Sequence, residues 1–572
     1  MRRTALLLLF IGLSQAGFAA GVAAAADLVF RGGKVYTLDA AQPWASSVAV
    51  SGDAITYVGD DEGSEALFGP ETRVVQLQGR LLLPGFIDTH IHIPDSLPYV
   101  YAAELTPGMS AEEVLAEIAR YAAEHPEQNP LVGSGFLAKA FGPTGPTAAQ
   151  LDSVVADRPA IIIDEGGHTA WANTAALRLA GITRDTPDPV PGAHFYQRNL
   201  DGSPTGWLVE GAAIGPVFEA LQVISSERLE QAADYFLPLM SSMGITAAFD
   251  AGTIETGEPG MEMLQSRAAA GELPLRIVGS HYVNMPSQLP EAIATVKELN
   301  ARYNSEFYTI DTLKISLDGT VEAGTALTIA PYREPEGHRA SPLVPRDQTL
   351  EVMVAAGREN MNLHVHALGD GAVRMGLDMA QAVRSLVPDS RSLITLCHIQ
   401  VVNPADVPRF AALDVIAQST PSWLEYDVFA EEALGDERFH QLYPLRSIAA
   451  EGARVTLGSD YPLTWIGVNG LSPLYNIEMA VTRQRAGDPE FAVQPLVSER
   501  ITVADAIRGY TLDAAYQLDR ADTLGSIEVG KQADLVVLDR NILESDPYTI
   551  HSTRVDLTVV DGRVVFDAHS GQ

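Results

Sequence analysis

The chain has 572 residues, with 38 Lys and Arg against 73 Asp and Glu, and a formal charge of −35. Its single cysteine excludes an internal disulfide and any metal site built from several thiolates, and the acidic balance disfavours nucleic acid and anionic membrane surfaces, which need basic patches. With 46% hydrophobic and 19% charged residues, the composition is that of a globular chain, long enough for several domains or for one large barrel with additions.

At the N-terminus, Arg2 and Arg3 precede an apolar run that starts at Ala5 and ends in Ala23-Ala24-Ala25-Ala26. A basic start, an apolar run and small residues at its end predict a secretory signal over 1–26, cleaved near Ala24 to Ala26. An uncleaved anchor is the alternative, and the arginine pair also admits a twin-arginine signal. No later run reaches about 18 uninterrupted apolar residues, so no stable membrane insertion is expected after cleavage. Export without disulfides points to a bacterial periplasmic or secreted protein.

Segments 28–38, 47–58 and 72–83 read as strands broken by Gly32-Gly33, Gly52-Asp53 and Gly79. Segments 533–539, 554–560 and 563–566 have the same texture, the last two joined at Asp561-Gly562, a hairpin signal. This predicts one composite β-sandwich from both termini, over 27–84 and 520–572; two unrelated β caps are the alternative. Between them, 82–88, 247–251, 275–283, 312–317, 362–366, 393–399, 415–418 and 454–459 read as strands, with helical segments such as 111–123 and 350–359 among them. Eight strands in this style predict an α/β fold, a (β/α)8 TIM-type barrel over 85–519. Residues 89–246 separate the first two barrel strands, where a βα unit needs about 30, so a large insertion follows strand one, with a substrate-region subdomain at about 100–240.

Barrel enzymes carry their chemistry at the C-terminal ends of strands. Strand one ends in His90-Ile91-His92, and residues i and i+2 of a strand face the same way, so both imidazoles can meet one cation. Alone, such a pair is structural at least as often. Lys314 lies in apolar strand four, where a lysine is costly unless compensated or modified; snorkelling or a salt bridge is the plain reading. Strand five carries His364 and His366, strand six ends in Cys397-His398, and strand eight ends in Ser459-Asp460. Together these form a series of metal-competent groups at successive strand ends. Alternation at the end of strand six turns Cys397 toward the helices and His398 inward.

This series resembles the amidohydrolase superfamily, and within it the amidohydrolase-3 branch of YtcJ-like and N-substituted formamide deformylase-like proteins. The resemblance also rests on the stretch from His168 to Leu177, on Lys314 through Asp318-Gly319, on His366-Ala367-Leu368-Gly369-Asp370, and on Gly525 through Val537. One departure is that Gln418-Ser419-Thr420-Pro421-Ser422-Trp423 lacks the histidine often found there in the branch.

The resemblance implies a metal-dependent amidohydrolase, acting on a C–N bond other than a peptide bond through a metal-activated hydroxide. The implied ligands are His90, His92, Lys314, His366, His398 and Asp460. Asp460 acts as catalytic base and then acid, and Lys314 as an N6-carboxylysine bridge if two ions bind. An unmodified lysine implies one ion. Zinc is the default among divalent metals; iron, manganese and cobalt also suit these ligands. His366 is favoured over His364 as the strand-five ligand. Substrate contacts are assigned to His168, His281 and Trp423, against plain packing roles for the two histidines. The expected partner is a small molecule, with a homodimer as the base-rate assembly. Hydrolysis of a lactone, carbamate or ester, or deamination, uses the same site; a catalytically inactive binding relative is the reading from another class.

Overall fold

At Gly85 the chain leaves one sheet and enters another. The computed structural model describes residues 25–570 apart from residues 107, 143, 165, 166, 168, 190, 192, 193, 255, 335, 464 and 465. The expected signal segment lies almost entirely outside the described residues. Leu81–Pro84 pairs with Lys34–Tyr36 on one side and with Leu535–Leu538 on the other, in a six-stranded sheet that also holds Val555–Val560 and Arg563–Asp567. Phe86–Ile91 belongs to the barrel. The segment 82–88 expected as one barrel strand is therefore two strands in two sheets. The switch turns on one residue: the Gly85 N–H still bonds to Asp534 in the terminal sheet (2.9 Å), while a Cβ at Gly85 would lie 2.1 Å from Thr246 in the barrel.

The barrel strands are β1 (Phe86–Ile91), β2 (Ile245–Asp250), β3 (Arg276–Val283), β4 (Tyr308–Ser316), β5 (Asn362–Ala367), β6 (Ile394–His398), β7 (Val415–Ser419) and β8 (Val455–Leu457). They lie side by side in chain order, all parallel. Backbone bonds from Asp460 N to His90 O (2.7 Å) and from His92 N to Tyr461 O (3.0 Å) bring the end of β8 onto the end of β1 and close the ring. Helices pack outside. The helix Asp370–Leu386 buries Val373, Leu377, Ala380 and Val383 at three- and four-residue spacing, the stripe a sheet-covering helix needs. Truncating Leu377, which is fully buried, to Ala costs about 2–5 kcal/mol.

The insertion between β1 and β2 carries its own six-stranded sheet, from Ala103–Glu104 to Pro204–Val209. Its helix Ala111–Glu124 starts at a capping box of Ser110 and Glu113. A four-stranded sheet from residues 28–76 faces the six-stranded terminal sheet, and Phe30, Val48 and Ile55 share one core with Leu535, Val537 and Val559. The buried Arg276, at the start of β3, bonds Asp534 (3.2 Å) and Asp561 (2.7 Å) and ties barrel to terminal sheet. Among the described residues no helix is long and apolar enough to cross a membrane.

Candidate metal centre

Asp88 organises the first pair of histidines. Its Oδ1 accepts hydrogen bonds from His90 N (3.1 Å) and Ser459 N (3.0 Å), so one buried carboxylate fixes the end of β1 against the turn after β8. Gly458 allows this approach, since a Cβ there would lie 2.5 Å from His90 N. His92 Nδ1 sits 2.8 Å from Gly252 O, which assigns its proton to Nδ1 and leaves Nε2 as a lone pair. His90 Nδ1 lies 3.0 Å from His364 Nε2; a proton donated along that contact leaves His90 Nε2 in the same state. His364 itself stacks on Phe249 and stays deep in the barrel.

The freed atoms converge on Asp460. His90 Nε2 and His92 Nε2 lie 3.4 and 3.5 Å from Asp460 Oδ1, and His398 Nδ1 lies 3.6 Å from Oδ2. Ligands about 2.1 Å from a tetrahedral ion stand about 3.4 Å from one another, so these separations suit a shared cation better than mutual hydrogen bonds. His398 Nδ1 and Asp460 Oδ1 are buried without a hydrogen-bond partner, an arrangement that otherwise costs stability. Asp460 (φ +53°) and His398 (φ +70°) both take left-handed backbone, which is sterically unfavourable for side-chain-bearing residues and is held here by the surrounding turn bonds.

Lys314, 1% exposed, reaches into the same space, with Nζ 3.2 Å from His90 Nε2 and 3.3 Å from Cys397 Sγ. Cys397 thus points into the barrel, opposite to the expectation. In the ladder Ser316 stands beside His366 and His366 beside Cys397, and side chains paired this way share a face. His398, next along, would turn outward; its left-handed φ swings it back to the mouth. His366 stands at the rim, its ring 4.6 Å from that of His398 and its Nε2 3.8 Å from Asp318 Oδ1. Asp318 also accepts from Leu327 N, Leu368 N and Gly369 N at 2.8–3.1 Å, which shapes the turn after His366.

Burial sets the electrostatics. It pulls His90, His364 and His398 well below the usual imidazole range, and the nearby Lys314 charge adds to this, so all three imidazoles are neutral at neutral pH. Burial pulls His92 down too, but the Asp460 carboxylate outweighs it and the net shift is upward. Burial raises Asp460 and pushes Asp88 and Asp318 to about 7 and the Cys397 thiol to about 12. Among the described residues, two groups have ligand atoms within 4.8 Å of one another: His90 with His92 and Asp460, and His90 with Cys397 and His398. The donor set of imidazoles, one carboxylate and one thiol suits a divalent transition metal. Of the expected set, the structure gathers His90, His92, Lys314, His398 and Asp460 closely, with His366 one step outward.

Trp423 stacks on His398 (centroids 5.2 Å apart, planes at 15°) and donates from Nε1 to Leu463 O (3.1 Å), so it stands beside the converging groups. His281 pairs with Leu313, a residue of the outer core, while Tyr282 pairs with Lys314. The inward place expected for His281 therefore belongs to Tyr282, whose hydroxyl accepts from Ser316 Oγ at 3.0 Å. His168 lies outside the described residues. Tyr99, Glu104, Gly135, Asp164 and Leu463 line a cleft between the inserted sheet and the loop that follows Asp460.

The chain matches the amidohydrolase family model over residues 73–566. It is 32% identical to the exoenzymes regulatory protein AepA of Pectobacterium carotovorum, over 75% of this chain and 93% of that one. It is 28% identical to the N-substituted formamide deformylase of Arthrobacter pascens, over 94% and 97%. An uncharacterized metal-dependent hydrolase of Pyrococcus horikoshii shares the fold at a TM-score of 0.73 and 20% identity, over 91% of this chain and 99% of that one. Barrel, converging ligands and full-length similarity together place the chain in the amidohydrolase family of metal-dependent hydrolases.

Proposed function

We propose that the protein hydrolyses an amide-type C–N bond of a small molecule at the centre around Asp460. The observation that carries this reading is the convergence of His90 Nε2 and His92 Nε2 on Asp460 Oδ1 beside the buried Lys314. His90, His92 and Asp460 would hold one divalent ion, zinc by preference. His366 and His398 would hold a second if Lys314 is carboxylated; an unmodified Lys314 is a cation and favours a single ion. When bound, such an ion makes water acidic near neutral pH and polarises a carbonyl oxygen.

The chain's own groups do the rest. Asp460, raised by burial, is suited to take a proton from the attacking water and deliver it to the leaving nitrogen. The contacts of His92 with Gly252 and of His90 with His364 hold the ring nitrogens in the required tautomers. Trp423 holds the His398 ring in place from one side, and the Tyr282 hydroxyl is positioned to donate to a substrate oxygen from another. The cleft beside the insertion, lined by Glu104, Asp164 and Leu463, is the proposed approach for a small molecule. The similarity to the formamide deformylase supports an N-substituted amide as the first class to test.

A screen of N-substituted formamides, N-acyl amino acids, cyclic amides, lactones and carbamates with metal-loaded protein tests this. Turnover of an amide supports the reading, and turnover confined to lactones or carbamates replaces it with another bond at the same centre. Export to the periplasm or medium is also proposed, on the strength of residues 1–26. The mass of the mature N-terminus tests it, and a full-length cytoplasmic product would overturn it.

A further inference from the structure

We propose that Cys397 is a thiolate ligand of the metal centre, forming with His398 a coordination position beside the one formed by His90, His92 and Asp460. The proposal rests on the metal-centre reading above and names a ligand that reading did not contain.

Three observations carry it. First, the ladder turns Cys397 into the barrel, and its Sγ stands 3.3 Å from Lys314 Nζ, fully buried. Second, the ligand atoms of His90, Cys397 and His398 lie within 4.8 Å of one another, and His398 Nδ1 is buried with no hydrogen-bond partner. Third, this group and the group of His92 and Asp460 both include His90. One imidazole nitrogen has one lone pair and binds one ion. With His90 engaged beside His92 and Asp460, Cys397 and His398 are left facing the adjoining position, where Asp460 Oδ2 lies 3.6 Å from His398 Nδ1.

Charge favours the same assignment. Among the described residues Asp460 is the only carboxylate in the converging groups, and Lys314 stands beside them. A second dication there needs another anion. A thiolate supplies it without chemical change at Lys314, and soft sulfur favours zinc over magnesium or calcium. The thiol proton is released to solvent as the ion binds.

Cobalt(II) titration of the metal-stripped full chain tests this. Cobalt bound by nitrogen and oxygen ligands gives visible d–d bands, and a cobalt–thiolate bond adds a near-ultraviolet charge-transfer band. Cys397 is the only cysteine in the sequence, so such a band can have no other source in the protein. The wild type is expected to develop both. Cys397→Ser and Cys397→Ala are expected to lose the near-ultraviolet band, keep visible bands from the ion at His90, His92 and Asp460, and bind the ion at the Cys397 position at least about tenfold more weakly. Zinc absorption fine structure should show one sulfur at about 2.3 Å. Visible bands without the charge-transfer band in the wild type would overturn the thiolate and leave the metal centre standing. No bound cobalt and no bands would overturn both. If the variants fail to fold, the wild-type spectrum alone decides.

Discussion

Asp88 accepts a hydrogen bond from the backbone of Ser459 at 3.0 Å across 371 residues of sequence, and the same oxygen accepts from His90 N. The carboxylate that joins the first barrel strand to the last is thus two residues from one proposed ligand and braced against the neighbour of another.

Removing it should therefore disturb stability and metal together. Asp88→Ala leaves two buried N–H groups unpaired, at about 1–3 kcal/mol each, and lets His90 and Asp460 drift apart. Asp88→Asn keeps an acceptor and should lose less. Denaturant unfolding should rank the wild type above Asn and Asn above Ala, with metal affinity in the alanine variant weaker by roughly 10- to 100-fold. Equal metal content and equal stability in all three would contradict the bracing role.

Asp460 is assigned two tasks, and one substitution separates them. Asp460→Asn retains an oxygen that can face the ion but cannot carry a proton. Turnover should fall by about 100- to 10,000-fold, while elemental analysis still finds bound metal. Chelation of the wild type should abolish activity and lower the thermal midpoint, both recovering on metal addition, because an ion bound only to the folded state stabilises it. Undiminished turnover in the asparagine variant would remove Asp460 as the proton carrier.

How far the site was legible depends on backbone details that side-chain patterns do not encode. His90, His92, Lys314 and Asp460 stand out in the sequence because metal-competent groups at successive strand ends are hard to explain by packing. Alternation misplaces Cys397, because the inward turn of His398 comes from its left-handed φ of +70°. Tyr282 rather than His281 faces inward for a related reason: the ladder of β3 and β4 shifts between Gly279 and Ser280, so a bulge resets which residues face inward. A shared β-strand texture hid the switch of sheets at Gly85, which depends on contacts with Thr246 and Asp534, both distant in sequence.

Glu322 gives a pH prediction away from the proposed ligands. Desolvation and the Asp427 carboxylate beside it hold its pKa well above the usual range, and it accepts from Gln400 Nε2 at 2.6 Å. The unfolded chain has a glutamate pKa of about 4.3. Between that value and the raised folded value, the folded state binds more protons, so stability falls as pH rises. Below that window the group is protonated in both states and no such loss occurs. Glu322→Gln can accept from Gln400 and donate to the Asp427 carboxylate without the charge. Its thermal midpoint should match the wild type near pH 4 and exceed it increasingly toward pH 8. Parallel curves would show that the pair does not titrate as argued.

Trp423 joins two walls of the centre, since its ring lies over His398 while its N–H reaches Leu463 in the loop after Asp460. Trp423→Ala removes the stack and the tether at once, whereas Trp423→Phe keeps an aromatic face and loses only the hydrogen bond, worth about 0.5–1.5 kcal/mol. If the ring positions His398 and shapes the substrate space, kcat/KM should fall by about tenfold or more in the alanine variant and less in the phenylalanine variant. The alanine variant should also accept bulkier acyl groups, because the ring it removes lies over His398 at the centre. A merely structural tryptophan would lower the thermal midpoint and leave the ranking of substrates unchanged. Measuring kcat and KM across an acyl-size series, alongside the midpoint, separates the two, because only a wall of the substrate space changes which substrate is preferred.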